Sequence, residues 1–77
     1  MKAEKTLDCV GLYCPMPIVK TAAKIKELKV GEVLEVVSDD VGIKQDMPAW
    51  CESTGHECIG MEQAGAEIKF YVQKKRD

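Results

Sequence analysis

The sequence has few aromatic residues and no surplus of positive charge. Trp occurs once, Tyr twice and Phe once, and 11 Lys and Arg residues stand against 13 Asp and Glu residues, for a formal net charge of −2. A general nucleic-acid-binding protein usually carries a basic surface, and single-stranded RNA is usually held by stacking on aromatic side chains. Both absences argue against direct nucleic-acid binding.

Long apolar segments are missing as well. No run approaches the ~20 apolar residues that a membrane-spanning helix needs, and the start of the chain, Met1 to Lys5, is too polar to begin a signal peptide. We therefore expect a cytoplasmic protein that folds as a single domain over residues 1–77. Thiols stay reduced in that compartment, so the four cysteines are expected to be reactive, metal-binding or core residues rather than a disulfide framework.

The cysteines do not have the spacing of a metal site. A zinc site built from four cysteines usually needs close pairs, roughly two to four residues apart, and neither Cys9 with Cys14 nor Cys51 with Cys58 meets that spacing. We expect no bound metal or other cofactor. Cys9 is interpreted as a core residue, with the alternative that it is a resolving thiol that forms a disulfide with Cys14. Cys51 and Cys58 are also interpreted as core residues.

One cysteine lies in a distinctive setting. Cys14 is followed directly by Pro15, and Pro17 comes two residues later. Proline suits the first turn of a helix, because its φ is already helical and its missing N–H would have no partner there. We predict that Cys14 occupies the N-cap and Pro15 the first helical position, where the helix dipole favours a thiolate. The N–H groups of Met16 and Ile18 are then the expected contacts for an anion. The alternative is a buried cysteine beside an ordinary helix start.

The rest of the chain alternates between strand and helix patterns. Apolar periodicity predicts four strands, over Lys5–Val10, Glu32–Ser38, Glu57–Gln63 and Glu67–Lys74. A first helix is predicted over Pro15–Leu28. A continuous helix from Ile43 onward would break at Pro48, so we start the second helix at Asp46, as its N-cap, and end it at Gly55.

The order β-α-β-α-β-β restricts the topology. Right-handed crossovers place both helices on one face of the sheet, and the other face, which carries Glu35, Lys69 and Tyr71, is expected to face water. Strand direction then assigns residues to two ends of the domain. The upper end collects Cys14, Asp39, Asp40, Lys44, Asp46, Pro48 and the turn at Gly65. The lower end holds Gly31, His56 and the C-terminus. His56 is therefore interpreted as a turn residue and not as a base for Cys14.

Two blocks of the sequence resemble a known family. Leu7-Asp8-x-x-Gly11-Leu12-x-Cys14-Pro15-x-Pro17 resembles the signature of the TusA-like (SirA-like) sulfur-carrier proteins. The second block, Asp39-Asp40 with Asp46-Met47-Pro48, Trp50-Cys51 and Gly55-His56-Glu57, is similar to the second motif of that family. The resemblance implies an α+β, two-layer α/β sandwich with a four-stranded mixed sheet, in order 1-2-4-3 with the last strand antiparallel. Gly11, Pro15, Pro17, Asp46 and Pro48 are its supporting motif residues.

The resemblance also implies a function. Cys14 would carry sulfur as a persulfide, taken from a cysteine desulfurase or a rhodanese-like donor and passed to an acceptor sulfurtransferase. The destinations implied by the family are tRNA thiolation, molybdenum-cofactor maturation and sulfur oxidation, with selenium handling as a further one. Tyr13 stands where tRNA-linked members often have a basic residue, which argues against the tRNA destination. Whether such a carrier counts as an enzyme stays open.

An alternative function and a docking surface complete the interpretation. The implied fold is similar to an RNA-contacting domain of a translation initiation factor, so a non-enzymatic RNA- or protein-binding regulatory module is the alternative.

For a carrier, Cys14 must reach into a partner, and the side chains around it are expected to meet that partner. The expected docking residues are Tyr13, Met16, Lys20, Asp40 and Lys44.

Overall fold

The structure, a computed structural model, describes residues 3–13 and 15–76. Its elements in chain order are β1 (Lys5–Asp8), α1 (Met16–Ile25), β2 (Val33–Ser38), α2 (Ile43–Thr54), β3 (Glu57–Ala64) and β4 (Glu67–Gln73). This order confirms the predicted β-α-β-α-β-β succession. Neither helix in the described part of the chain has the length and apolar character that a membrane crossing requires.

The four strands form one mixed sheet in the order β1-β2-β4-β3. β1 pairs with β2 in parallel, and β4 lies between β2 and β3, antiparallel to both. This is the order that the family resemblance implied, and it is confirmed. The pairing register also defines the two ends, because Asp8 pairs with Val37 at the upper end and Val33 pairs with Gln73 at the lower end.

One face of this sheet builds the core together with both helices. The alternating residues of the two central strands point to this face and are buried: Leu34, Val36, Ile68, Phe70 and Val72. The helices cover them with Ile25, Ile43, Met47 and Cys51. Fully burying an aliphatic side chain of this size contributes about 1.5–3 kcal/mol, so the common face positions both helices on the sheet.

Helix α1 is shorter than predicted. Pro17, Thr21 and Ile25 form its buried row, whereas Ile18 and Ala22 are only half-buried. Thr21 fits this row because its hydroxyl donates a hydrogen bond to the Pro17 carbonyl at 2.7 Å, which satisfies the polar atom inside the core. The helix ends at Ile25, and the buried Leu28 follows it.

The predicted start of the second helix was wrong. α2 begins at Ile43, with Gly42 as its N-cap, so Asp46 lies inside the first turn and Pro48 inside the helix. Ile43 and Met47 are one turn apart and are 1% and 0% exposed. The burial of this pair outweighs the hydrogen bond that Pro48 cannot donate.

The outer face of the sheet is less open to water than predicted. Tyr71 is only 3% exposed, and Glu35 and Lys69 are half-buried. The Tyr71 hydroxyl lies 2.9 Å from a Glu35 oxygen and 3.1 Å from a Glu62 oxygen, and Thr6 donates a second hydrogen bond to Glu35 at 3.1 Å. The hydrogen bond to Glu35, followed by burial and the Glu62 carboxylate, raises the pKa of Tyr71. This polar cluster, which takes one residue from each of the four strands, holds the tyrosine hydroxyl on the outer face.

Candidate functional site

The loop between β1 and α1 is held by a series of hydrogen bonds. Cys9 N–H still pairs with the Val37 carbonyl at 2.7 Å, and Val10 N–H bonds the Asp8 carboxylate at 3.0 Å. Leu12 N–H then returns to the Cys9 carbonyl at 3.1 Å. The chain therefore turns sharply out of the strand toward position 14. Cys14 itself lies outside the described residues.

A second strand stabilises this loop. Gly11 N–H donates to the Asp39 carboxylate at 3.0 Å, and Asp39 directly follows β2. β1 and β2 are parallel neighbours, so their following loops emerge side by side. Gly11 has φ of +86°, a left-handed conformation that costs other residues about 1–2 kcal/mol. Asp39 and Gly11 together give the loop one defined path.

The first turn of α1 has no unused backbone donor among its described residues. The predicted start of α1 was one position too early: Pro15, expected as the first helical residue, is the N-cap, and Pro17 lies in the first turn. Neither proline has an N–H. Met16 N–H bonds the Tyr13 carbonyl at 2.8 Å, and Ile18 N–H bonds the Pro15 carbonyl at 3.1 Å. Our expectation that Met16 and Ile18 donate to an anion was therefore wrong: both N–H groups are used within the turn.

The loop before α2 is built around Asp40. Its carboxylate accepts the Gly42 N–H at 3.1 Å, its N–H bonds the Ser38 hydroxyl at 3.1 Å, and its carbonyl accepts the Ile43 N–H at 3.1 Å. These three bonds make Asp40 the residue that organises the turn into α2. Asp40 is half-buried and bonded, so it is a structural residue as well as a candidate for docking.

The upper end exposes several large apolar side chains. We define the apolar rim as five exposed residues of the two upper loops and the start of α1: Val10 (49% exposed), Tyr13 (75%), Met16 (40%), Val19 (52%) and Val41 (69%). Tyr13 and Met16 were predicted docking residues, and Lys20 and Lys44, also predicted, are exposed. Val10 and Val19 were missed. Each stands beside other apolar residues, and the sequence alone does not indicate which of them the fold leaves exposed.

The other thiols are poorly suited to sulfur chemistry. Cys9 is fully buried, and burial, followed by the Asp8 charge, raises its pKa, which Lys20 lowers in part. Burial is also the largest cause that raises the pKa of Cys51, to about 12, and it raises the pKa of Cys58. All three are free thiols. A high pKa leaves little thiolate near neutral pH, so these groups are weak nucleophiles.

His56 is at the lower end, as predicted. It lies between α2 and β3, where its Nδ1 accepts the Lys75 N–H at 3.2 Å. Burial, followed by the charges of Lys74 and Arg76, lowers its pKa. Within residues 3–13 and 15–76, no three His, Cys, Asp or Glu side chains are placed to hold a metal ion.

Comparison with known proteins identifies the family. The sequence model described as "Sulfurtransferase TusA" matches residues 5–74. The chain belongs to the TusA family. The match covers every strand and helix described above, together with both upper loops.

Several proteins resemble the chain over almost its entire length. YrkI of Bacillus subtilis (strain 168) is 46% identical over 74 residues, which cover 96% of this chain and 99% of YrkI. Sulfur carrier protein TusA of Pseudomonas entomophila (strain L48) is 34% identical over 96% of this chain and 92% of its own length. YrkF of B. subtilis is 50% identical over 96% of this chain, but the chain spans only 40% of YrkF.

A solved structure has the same fold. The crystal structure of the SirA-like protein from Desulfitobacterium hafniense superposes with a TM-score of 0.79 and covers 94% of this chain and 99% of that one. The two sequences are 23% identical, so this likeness supports the architecture and not the chemistry.

Proposed function

We propose that the protein is a sulfur carrier that holds sulfur as a persulfide on Cys14. The observation that carries the proposal is the loop that leads to position 14. Gly11 and Asp39 hold it in one path next to the apolar rim, in a chain that belongs to the TusA family. A carrier cysteine needs a fixed backbone and access for a partner, and this loop at the end of the domain offers both. Residues 1–77 would act as one carrier domain.

The proposed chemistry consists of two sulfur exchanges. The Cys14 thiolate attacks the outer sulfur of a donor persulfide. A bond from Cys14 Sγ to that sulfur forms, the S–S bond of the donor breaks, and the donor leaves as a thiolate. In the second step an acceptor thiolate attacks the same outer sulfur, and the Cys14 thiolate is the leaving group. Electrons and atoms balance over both steps without an added oxidant or reductant.

The supporting residues act on position and not on protons. Pro15 and Pro17 stiffen the chain on the far side of Cys14, as Gly11 and Asp39 do on the near side. With no base required, the distant His56 has no part in the reaction. The raised pKa values of the buried thiols direct the sulfur toward Cys14.

The partners are proposed from the same surface. A cysteine desulfurase or a rhodanese-like protein is the expected donor, and a sulfurtransferase is the expected acceptor. Both would be met by the apolar rim and by the exposed Lys20 and Lys44 beside it. Apolar residues at the centre of a contact with charges around them are typical of protein–protein interfaces. Cytoplasmic location, where thiols stay reduced, suits this chemistry.

A two-stage relay tests the proposal. The protein is loaded by a cysteine desulfurase with cysteine, separated from the donor, and mixed with an acceptor sulfurtransferase whose own persulfide is then measured. We expect sulfur to leave the carrier and to appear on the acceptor. A protein that loads but never releases sulfur to any thiol acceptor would contradict a carrier role, and one that does not load at all would favour a regulatory binding module.

A further inference from the structure

The lower end of the molecule contains a groove that the sulfur chemistry does not use. It has a volume of about 440 Å³ and lies between the last turns of α1 and α2 and the segment that follows β4. Its lining residues are Ala22, Ile25, Lys26, Trp50, Ser53, Thr54, His56, Lys74 and Arg76. Small-molecule sites commonly have volumes of roughly 300–1,000 Å³. The length of α1 separates this groove from the upper loops.

The groove is positively charged. Lys26, Lys74 and Arg76 line it, and none of its described lining residues is Asp or Glu. Within the described part of the chain, no carboxylate forms an ion pair with Lys26 or Arg76. Neighbouring acids are engaged elsewhere: Glu27 pairs with Lys24 at 3.2 Å, and Glu57 pairs with Lys75 at 3.2 Å. No described carboxylate therefore offsets the charges of Lys26 and Arg76 in the groove.

The negative ends of the two helices offset only part of this positive charge. The carbonyls at a helix C-terminus carry about half a negative charge, so α1 and α2 together bring about one. Lys74 Nζ donates to the Leu28 carbonyl at 2.6 Å, just beyond the end of α1. Lys26 and Arg76 add two full positive charges against about one negative charge from the helix ends, so the groove stays positive. Burial, followed by the charges of Lys74 and Arg76, lowers the pKa of His56 beside them.

One wall of the groove is planar and apolar. Trp50 is half-buried, and its ring centroid lies 5.5 Å from that of His56 with 33° between the planes. Ile25 and Ala22 of α1 also line the groove. The stem of Arg76 lies over Gly55, where a Cβ would be 3.0 Å from Arg76 Cδ. The groove therefore combines aromatic surface with the positive charges of Lys26 and Arg76.

We propose that this groove binds a small phosphate ester that bears a planar ring, of the nucleoside monophosphate class. Arg76 and Lys26 bind the phosphate, since a guanidinium and an ammonium donate charge-assisted hydrogen bonds to its oxygens. The ring stacks against Trp50 and His56, as bases stack on aromatic side chains. The Ser53 hydroxyl, exposed at the groove, is available to the sugar.

The chain contains its own reporters for the test. Trp50 is the only tryptophan and His56 the only histidine, so fluorescence and the imidazole NMR signal both report on the groove. Adenosine 5′-monophosphate is titrated into the wild-type protein. Inorganic phosphate and adenosine, the two halves of this probe, are titrated separately. We expect saturable quenching of Trp50 by the monophosphate and a rise in the pKa of His56, because the bound anion offsets the charges of Lys74 and Arg76. Each half alone should bind at least about tenfold more weakly.

Variants decide whether the groove is responsible. Arg76→Gln and Lys26→Gln should each weaken binding about tenfold or more. Lys44→Gln, which removes an exposed cation from the upper end, is the matched control and should bind like the wild type. Inorganic phosphate that binds as tightly as the monophosphate would overturn the role of the ring. No saturable binding, or an equal loss in Lys44→Gln, would overturn the site. Sulfur loading on Cys14 is measured separately and does not depend on either result.

Discussion

The Asp39 carboxylate accepts the Gly11 N–H at 3.0 Å, across two parallel strands and 28 residues of sequence. This bond ties the end of β2 to the loop that leads to Cys14, so the position of the proposed sulfur carrier depends on both loops of the upper end. Asp39 is exposed, and its contribution is to the path of the loop more than to the stability of the core.

Removal of this contact should impair transfer while the fold survives. Asp39→Ala leaves the Gly11 N–H without its acceptor, and we expect the free energy of unfolding to fall by about 1 kcal/mol. Sulfur transfer from a desulfurase should slow several-fold because the loop is less well defined. Asp39→Asn keeps an acceptor oxygen and is the matched control, expected to transfer almost normally. Transfer at the wild-type rate in Asp39→Ala would show that the loop does not need this bond.

The apolar rim should matter for protein donors and not for small ones. Tyr13→Asp and Val41→Asp place charge on exposed apolar positions, and each should slow loading by a desulfurase strongly while polysulfide loads Cys14 normally. Both residues are exposed, so the cost in stability should stay within about 0.5 kcal/mol. Val30→Asp is the control, because Val30 is 55% exposed but lies outside the upper loops. Equal slowing with both kinds of donor would mean that the rim is not the docking surface.

Charge reversal on the same surface is best made at Lys44. Lys44 is exposed, whereas Asp40 accepts the Gly42 N–H and supports the start of α2. Lys44→Glu should therefore change the free energy of unfolding by at most about 0.5 kcal/mol and still reduce the rate of transfer from a protein donor. We expect Asp40→Lys to destabilise the protein as well, by about 1 kcal/mol or more. Chemical denaturation of both variants separates the two effects, and similar stabilities would contradict the structural role of Asp40.

The thiols should react in an order determined by their pKa values. The α1 dipole is expected to lower the pKa of Cys14 below the ~8.5 of a free cysteine. The lowering should be modest, since the described N–H groups of the first turn are already bonded. Alkylation near neutral pH, followed by peptide mapping, should modify Cys14 before Cys9, Cys51 or Cys58. An alkylation inflection for Cys14 at or above 8.5 would contradict the electrostatic part of the account.

Stability should fall at alkaline pH through the buried thiol of Cys51. Its pKa is raised from 9.0 to about 12 in the folded protein, so the folded state holds the proton that the unfolded state has already lost. Stability from this group is full below about 9 and declines as pH rises from there toward 12. Urea unfolding of the wild type and of Cys51→Ala, compared at pH 7.5 and at pH 10, checks this. The variant should lose less stability over the interval; an equal loss would assign the alkaline sensitivity to other groups.

The sheet and the order of elements could be predicted because local patterns determine them. Val33 to Ser38 and Ile68 to Val72 alternate or cluster apolar residues in the manner of strands, and the glycines at positions 31, 55 and 65 mark the turns. The boundaries of the elements were predicted less accurately than their order. The start of α2 was misplaced because Pro48 is a local signal, while the burial of Ile43 against the sheet is a tertiary one that the local pattern does not contain.

Contacts between distant segments could not be predicted from the sequence. The bond from Gly11 to Asp39 depends on which strand pairs with β1, and the polar contacts of the Tyr71 hydroxyl depend on Glu35 and Glu62 from neighbouring strands. His56 was placed correctly but judged a turn residue, because the groove beside it forms only when α1, α2 and the tail meet. Cys14 was found from spacing and resemblance, and its role is what the chemistry must test.

The most direct measurement is the site of sulfur loading. Wild type, Cys14→Ser and Cys58→Ser are incubated with a cysteine desulfurase and cysteine, and intact mass and digested peptides are then analysed by mass spectrometry. Cys58 is the matched control, because it is a half-buried thiol away from the upper loops. The account predicts added sulfur on the peptide that contains Cys14 in wild type and Cys58→Ser, and none on Cys14→Ser. Sulfur loading that persists in Cys14→Ser would contradict it.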